Sequence, residues 1–399
     1  MLGLARSGRA AASALARRRV EVVGVDRDPG RPDLPGVELH LGSEEESLLD
    51  GVELLVKSPG VPREAPLVRA AERRGVPIWS ELELGYRLLG ARLVAVTGTN
   101  GKTTTSELLG VILDAPVAGN VGRALCDLDG EVAAADTVVC EVSSFQLEDV
   151  HEFRPHVAVL LNLEPDHLDR HGSFEAYRDA KLRVFENQHA DDVAVLPRGF
   201  DRVPGDARRV EFRYDDPLPA EPFIRGAHNR ENAAAATAAA RALGVDEATI
   251  ADALRSFRGV RHRLELVGER DGVRYVNDSK ATNVAAARRA LAAYADESVH
   301  LILGGSLKGE SFAPLAHDIG ANVRSVFLIG EASDEVSAAL DASGVRYERA
   351  GDLATAVARA AERAGAGDVV LLSPACASYD QFEHFEQRGD EFRRLVEEL

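Results

Sequence analysis

The stretch VTGTNGKTTT, residues 96–105, restricts the possible folds of this chain more than any other segment. An apolar run over 92–96 leads into Gly98, Thr99, Asn100 and Gly101, and Lys102, Thr103 and Thr104 then open a helical segment. Glycines at such a turn let backbone N–H groups wrap phosphate oxygens, and the helix N-terminus adds its dipole. In such a loop the lysine reaches the outer phosphates and the following hydroxyl holds Mg²⁺. Val96 stands where the longer phosphate-loop pattern has its first glycine, so this is a shortened variant. An ordinary glycine turn is the competing reading. The strand before, the helix after and the Lys-Thr pair favour the phosphate loop.

A strand–loop–helix unit of this kind requires a parallel α/β sheet, and the rest of the chain supplies one. VEVVGVD (20–26) and VELLVKSPG (52–60) read as buried strands, and APLVRAAERRG (65–75) as a helix closed by Gly75. The chain opens on GLARSG (3–8), a glycine-rich turn with an acidic residue in VDRD (25–28) about twenty positions on. No strand precedes that turn, so an apolar β-branched run upstream of Met1 is expected. Further strands are expected at TVVCEVSS (137–144), HVAVLLNL (156–163) and DVAVLP (192–197), with a helix over 231–243. Residues 198–225 read as a surface excursion. RLELVGERDGVRYVND (263–278) reads as a hairpin about Asp271-Gly272, followed by strands in VHLILGG, VRSVFLIG and DVVLLSP. The expected division is 1–90, 91–258 and 259–399.

Polar residues collect where these strands end. CEVSSFQLE (140–148) places Glu141 at one exit, and NLEPDHLDRHGS (162–173) places Glu164, Asp166, His167 and Asp169 at another. In a parallel sheet these exits share an edge with the phosphate loop, where carboxylate and imidazole suit Mg²⁺. YVNDSKATN, LGGSLKGESF and LLSPACASYDQFEHFEQRG give three more polar exits in the last third. The lysines follow the same map. Of 47 basic residues only five are lysine: Lys57, Lys102, Lys181, Lys280 and Lys308. All but Lys57 lie in or near a chemistry-bearing exit, which suggests roles a guanidinium cannot fill.

Composition excludes several classes. A net charge of −18 disfavours nucleic acid as a partner. No apolar run is long enough to span a membrane and no signal segment is evident at Met1. Three scattered cysteines argue against a disulfide framework or a zinc site and fit the cytoplasm.

GTNGKTTT, GNVG, EVSSFQLE, DHLDRH, AKLRVFEN, HNRENAAAA, HRLE, NDSKATN and SPACASYDQFEHFEQRG together resemble the Mur ligases, nearly end to end. The resemblance implies a Rossmann-like N-terminal domain that binds a UDP substrate, its first strand absent here. A central P-loop ATPase-like domain and a Rossmann-like C-terminal domain follow. It implies a monomeric ligase that uses ATP and Mg²⁺ to add D-glutamate to UDP-N-acetylmuramoyl-L-alanine. The Asp-Asn-Pro-Arg motif of members that add a diamino acid is absent. By position, the resemblance assigns Arg6, Ser7, Asp26, Arg27 and Ser58 to the uridine nucleotide. Gly98 to Thr104 fall in the ATP loop, with Lys102, Thr103 and Glu141 at phosphate and Mg²⁺. Asn120, Ser143, Gln146 and His167 surround the reacting carboxylate, with His167 also near the metal. Asn229, Arg263 and Asp278 contact the nucleoside of ATP. Lys280, Thr282, Lys308, Ser378 and Phe385 form the D-glutamate pocket. Lys181 matches a lysine that is carbamoylated and acts toward the metal. Two other readings are weighed: a folylpolyglutamate-type ligase, and a P-loop ATPase that works as a switch.

Overall fold

The computed structural model describes all residues but Arg225 and Lys308, and leaves the Asp169 side chain undescribed. The chain divides into two compact units, Met1–Phe257 and Arg258–Leu399.

The first unit begins with two parallel pairs, β1 (Val23–Asp26) with β2 (Glu38–Leu41), and β3 (Leu55–Lys57) with β4 (Ile78–Ser80). Met1–Gly3 lies between β1 and β3 and bonds to both. Leu2 N donates to Val56 O at 2.9 Å and Gly3 N to Val25 O at 2.8 Å. Leu2 forms isolated bridges to Lys57 and Val25, so three residues occupy the place where a first strand was sought. Helix α1 (Arg6–Arg17) starts at once from this turn. Helix α2 (Pro66–Arg74) starts with proline and stops at Gly75, whose φ of 70° supplies the left-handed cap. Helix α3 (Glu81–Leu89) is capped by Ser80 Oγ and locks onto the distant segment 151–153. Glu83 accepts backbone N–H bonds from His151, Glu152 and Phe153.

Six parallel strands form the main sheet of this unit: β5 (Arg92–Thr97), β6 (Val117–Gly119), β7 (Thr137–Glu141), β8 (Val157–Leu160), β9 (Val193–Pro197) and β10 (Arg208–Phe212). Their order is β10-β9-β8-β5-β7-β6, with the phosphate-loop strand inside it. Buried runs such as VAVL and VVC are what a sheet covered on both faces demands. Helices α4 (Lys102–Leu113), α5 (Ser144–Leu147), α6 (Leu168–His171), α7 (Phe174–Leu182) and α8 (Ala227–Ala242) follow strands or their loops. The 198–225 excursion contains the edge strand β10, largely exposed, which the sequence reading missed.

The second unit holds a mixed sheet of β11 (Glu265–Arg270), β12 (Val273–Asn277), β13 (Val299–Gly304), β14 (Val323–Ile329), β15 (Glu348–Gly351) and β16 (Val369–Leu372). The order is β11-β12-β16-β13-β14-β15, and only β11 runs antiparallel. Asp271 and Gly272, at φ 51° and 76°, make the hairpin turn between β11 and β12 as expected. No helix among the described residues is long and apolar enough to cross a membrane.

Candidate active site

Thr97 ends β5, and the loop Gly98–Gly101 turns into α4 at the C-terminal edge of the sheet. Gly101 holds φ 84°, and a Cβ there would lie 2.2 Å from Asn232 Oδ1 on α8. Only glycine fits. The loop is backed by the residues after β8. Asn100 N donates to Asn162 Oδ1 at 2.8 Å, and Thr99 N to Asn162 O at 3.0 Å. Thr99 Oγ1 lies 2.9 Å from Tyr177 Oη. Lys102 Nζ lies across the loop and donates to Gly98 O and Thr99 O, both at 2.9 Å. Thr103 and Thr104 are buried in the first turn of α4.

Register places Glu141 beside this loop, because it pairs with Val96 on one side and Gly119 on the other. Its Oε1 accepts from Asn120 Nδ2 at 2.9 Å. Its Oε2 is buried and has no hydrogen-bond partner. An orphaned carboxylate oxygen in a buried site calls for a cation. The donor set fits Mg²⁺ held with a polyphosphate: one carboxylate oxygen, a helix-N-terminal hydroxyl and a glycine cradle. Among the described residues no group of three or more His, Cys, Asp or Glu could hold a metal ion.

Lys181, near the end of α7, is 2% exposed. Its Nζ donates to Gly98 O at 2.8 Å and lies 4.8 Å from the Tyr177 ring centroid. Burial, reinforced by the Lys102 charge, lowers its pKa to about 7. Tyr177 sits four residues earlier on the same helix, and burial pushes its hydroxyl up to about 12. His167 begins α6 in a left-handed conformation, half exposed, 3.5 Å from Asp166. Its ring lies 4.9 Å from that of Phe145. Ser143 caps α5, with Gln146 closing the reciprocal bond to the Ser143 backbone N–H.

The uridine-assigned residues gather around the first turn. Asp26 accepts from Leu4 N at 2.5 Å, Asp28 N at 2.9 Å and Arg31 Nε at 3.2 Å. Burial raises its pKa, and these donors outweigh it to leave the carboxyl below its usual range. Ser58 N donates to Leu2 O at 2.9 Å. Arg6 donates to Gly122 O, Ser7 lies beside it in the first turn of α1, and exposed Arg27 pairs with Glu44.

The second unit gathers its assigned residues at its own strand exits. Asp278 follows β12, accepts from Ser373 Oγ at 2.7 Å and Leu264 N at 3.2 Å, and is raised to about 7 by burial. Lys280 N donates to His262 O and Thr282 N to Lys280 O, which folds NDSKAT into a tight turn. Ser378 is buried, and Phe385 meets His262 edge-on at 6.2 Å. Arg263 directly precedes the Leu264 N–H that binds Asp278. Asn229 lies in the first turn of α8 in the first unit. Lys308 lies outside the described residues.

The sequence reading missed three residues that shape these sites. Tyr177 could have been found from its i,i+4 spacing to Lys181. Arg388 in FEQRG is 1% exposed and donates to Ser279 Oγ, Ser279 O, Ala377 O and Cys376 O. It thereby ties the Asp278–Thr282 turn to the SPACAS loop. Arg170 in DHLDRH is the third.

Three family models match the chain: the Mur ligase MurD-like N-terminal domain over 1–80, the Mur ligase middle domain over 96–209, and the Mur ligase glutamate ligase domain over 262–376. A UDP-N-acetylmuramoylalanine--D-glutamate ligase from Anaeromyxobacter dehalogenans is 43% identical over 451 residues, covering 100% of this chain and 97% of that one. A protein of the same name from Pelotomaculum thermopropionicum is 41% identical over 441 residues, covering 99% and 96%. Among solved structures, a UDP-N-acetylmuramate-alanine ligase from Thermotoga maritima superposes with a TM-score of 0.60 at 19% identity, covering 100% and 98%. Escherichia coli FolC with ADP gives 0.55 at 19% identity, covering 79% and 93%. The two structural likenesses show a common fold, and the full-length relatives decide between its users: this chain belongs to the Mur ligase family.

Proposed function

We propose that this chain is the ATP-dependent ligase that joins D-glutamate to UDP-N-acetylmuramoyl-L-alanine in peptidoglycan precursor synthesis. The observation that carries the chemistry is the meeting of a phosphate loop, an orphaned Glu141 oxygen and a buried Lys181 amine at one sheet edge. The full-length relatives' names support the substrate pair. The domains run 1–90 for the UDP substrate, 91–258 for ATP and 259–399 for the acceptor. The enzyme works as a monomer in the cytoplasm, and its three free, buried cysteines suit that compartment.

The L-alanyl carboxylate attacks the γ-phosphate of ATP and expels ADP to give an acyl phosphate, and the neutral D-glutamate amine then displaces inorganic phosphate from it, losing its proton to solvent as the amide forms. Mg²⁺ bound with ATP offsets the repulsion between the two anions. The loop N–H groups and Lys102 hold the phosphates, and Thr103 and Glu141 would hold the Mg²⁺ that comes with ATP. Asn120, Ser143, Gln146 and His167 orient the carboxylate. Lys181, with a pKa lowered to about 7 and so partly neutral at that pH, adds CO₂ and releases a proton to solvent to become a carbamate, whose anionic oxygens would suit the metal. Asp26, Arg27, Ser58, Arg6 and Ser7 hold the uridine nucleotide, and Asn229, Arg263 and Asp278 the nucleoside of ATP. Lys280, Thr282, Lys308, Ser378 and Phe385 receive D-glutamate.

Phosphate release is expected only when UDP-N-acetylmuramoyl-L-alanine, D-glutamate, ATP and Mg²⁺ are all present, with L-glutamate and diamino acids at background. ATP turnover without donor or acceptor would instead indicate the switch, and equal turnover with a diamino acid would refute the acceptor.

A further inference from the structure

The turn 58–61 after β3 connects the uridine-assigned residues to the reaction centre through the Arg170 side chain, alongside the Lys57–Asp149 pair that also holds Val61 O. On one side the turn packs against Gly3, where a Cβ would lie 2.8 Å from Val61 Cγ2 and 2.9 Å from Ser58 Cβ. On the other side Arg170 of α6 grips its backbone. Arg170 Nη1 donates to Pro59 O at 2.8 Å, and Nη2 to Val61 O at 3.3 Å and to Glu148 Oε2 at 3.1 Å. The guanidinium stacks on Phe145, 4.1 Å from the ring centroid. That ring meets His167 at 4.9 Å and His171 at 5.3 Å, and His171 Nε2 lies 3.0 Å from Ser144 Oγ.

We infer that Arg170 is a positioning residue that sets the separation between the turn receiving the uridine end of the donor and the centre receiving its carboxylate. The inference rests on the donor assignment of the preceding subsection. A planar fork is suited to this task, because it holds two carbonyls, a carboxylate and an aromatic face at once. An ammonium at the same place would keep the charge and lose the geometry. Binding energy at the remote nucleotide end is thereby turned into orientation of the reacting carboxylate.

The test compares wild type with Arg170→Lys, and with Glu148→Gln, which leaves Arg170 in place and weakens its Glu148 anchor together with the 3.5 Å contact of Glu148 to His171. Three quantities are read: thermal melting, affinity for UDP alone, and kcat on the whole donor. UDP has no carboxylate end to place. Arg170→Lys is expected to melt near wild type and to bind UDP within about twofold. Its kcat should fall roughly 100-fold, the effect of about 1 Å of misplacement. Glu148→Gln is expected to lower kcat by a smaller factor with UDP affinity again preserved, and it carries the test if Arg170→Lys does not fold. A kcat near wild type in both variants, or UDP affinity falling in step with kcat, would overturn the inference. A wild-type chain that releases no phosphate from the complete mixture would overturn the ligase assignment, and this inference with it.

Discussion

Lys57 and Lys181 are buried almost equally, at 1% and 2% exposure, yet their surroundings are opposite. Lys57 Nζ meets Asp149 Oδ2 at 2.9 Å and donates to Val61 O at 3.1 Å. Its charge is compensated, and it ties the 58–61 turn to the segment after α5. Burial and the nearby Lys102 charge disfavour the Lys181 ammonium and outweigh the opposing pull of Asp166 and Glu141. One lysine is a structural cation. The other is an amine whose pKa is lowered to about 7 against a phosphate loop. The contrast shows that burial alone does not assign a lysine a role; what stands opposite the nitrogen does.

Activity separates the pair most strongly. Lys181→Ala and Lys181→Arg should fold, yet lose at least about 100-fold in kcat, in the range of removing one group that stabilises transition-state charge. Short carboxylic acids, and not alkylamines, should partly restore Lys181→Ala. Amine rescue, or full activity in Lys181→Arg, would make Lys181 a second structural cation.

Stability separates them in the other direction. Lys57→Met strands the Asp149 carboxylate, and a loss of about 3 kcal/mol is expected by denaturant unfolding. Lys57→Met with Asp149→Leu should recover most of that loss. An undisturbed Lys57→Met single variant would show that the pair is a surface contact in solution.

The third difference concerns pH. The native Lys181 amine loses its proton near pH 7, while the unfolded chain keeps it to the ordinary lysine value. Between these values the unfolded state binds more protons, so wild-type stability rises with pH. In bicarbonate-free buffer the stability of Lys181→Met relative to wild type should therefore be greatest near pH 6 and fall steadily as the pH rises toward 10. A margin independent of pH would contradict the lowered pKa.

Much of this was legible in the sequence, and the illegible parts share a cause. Strands such as VAVL and the Asp271-Gly272 hairpin follow from apolar runs and turn chemistry alone. Lys181 stood out because arginine was used almost everywhere else. The edge strand β10 did not, since RRVEF offers only two apolar residues and its exposure lets the rest be charged. Lys57 carried no sign of Asp149, 92 positions away, and nothing local to Arg170 or Arg388 marked the backbone carbonyls that each of them grips. Periodicity reports on neighbours along the chain, whereas charge compensation depends on neighbours across it.

The contrast between the two lysines is tested most directly by ¹³C NMR of the protein equilibrated with ¹³C-bicarbonate. The account predicts a lysine carbamate resonance that persists in Lys57→Arg and vanishes in Lys181→Arg. No carbamate in the wild-type protein, or one that survives in Lys181→Arg, would contradict it.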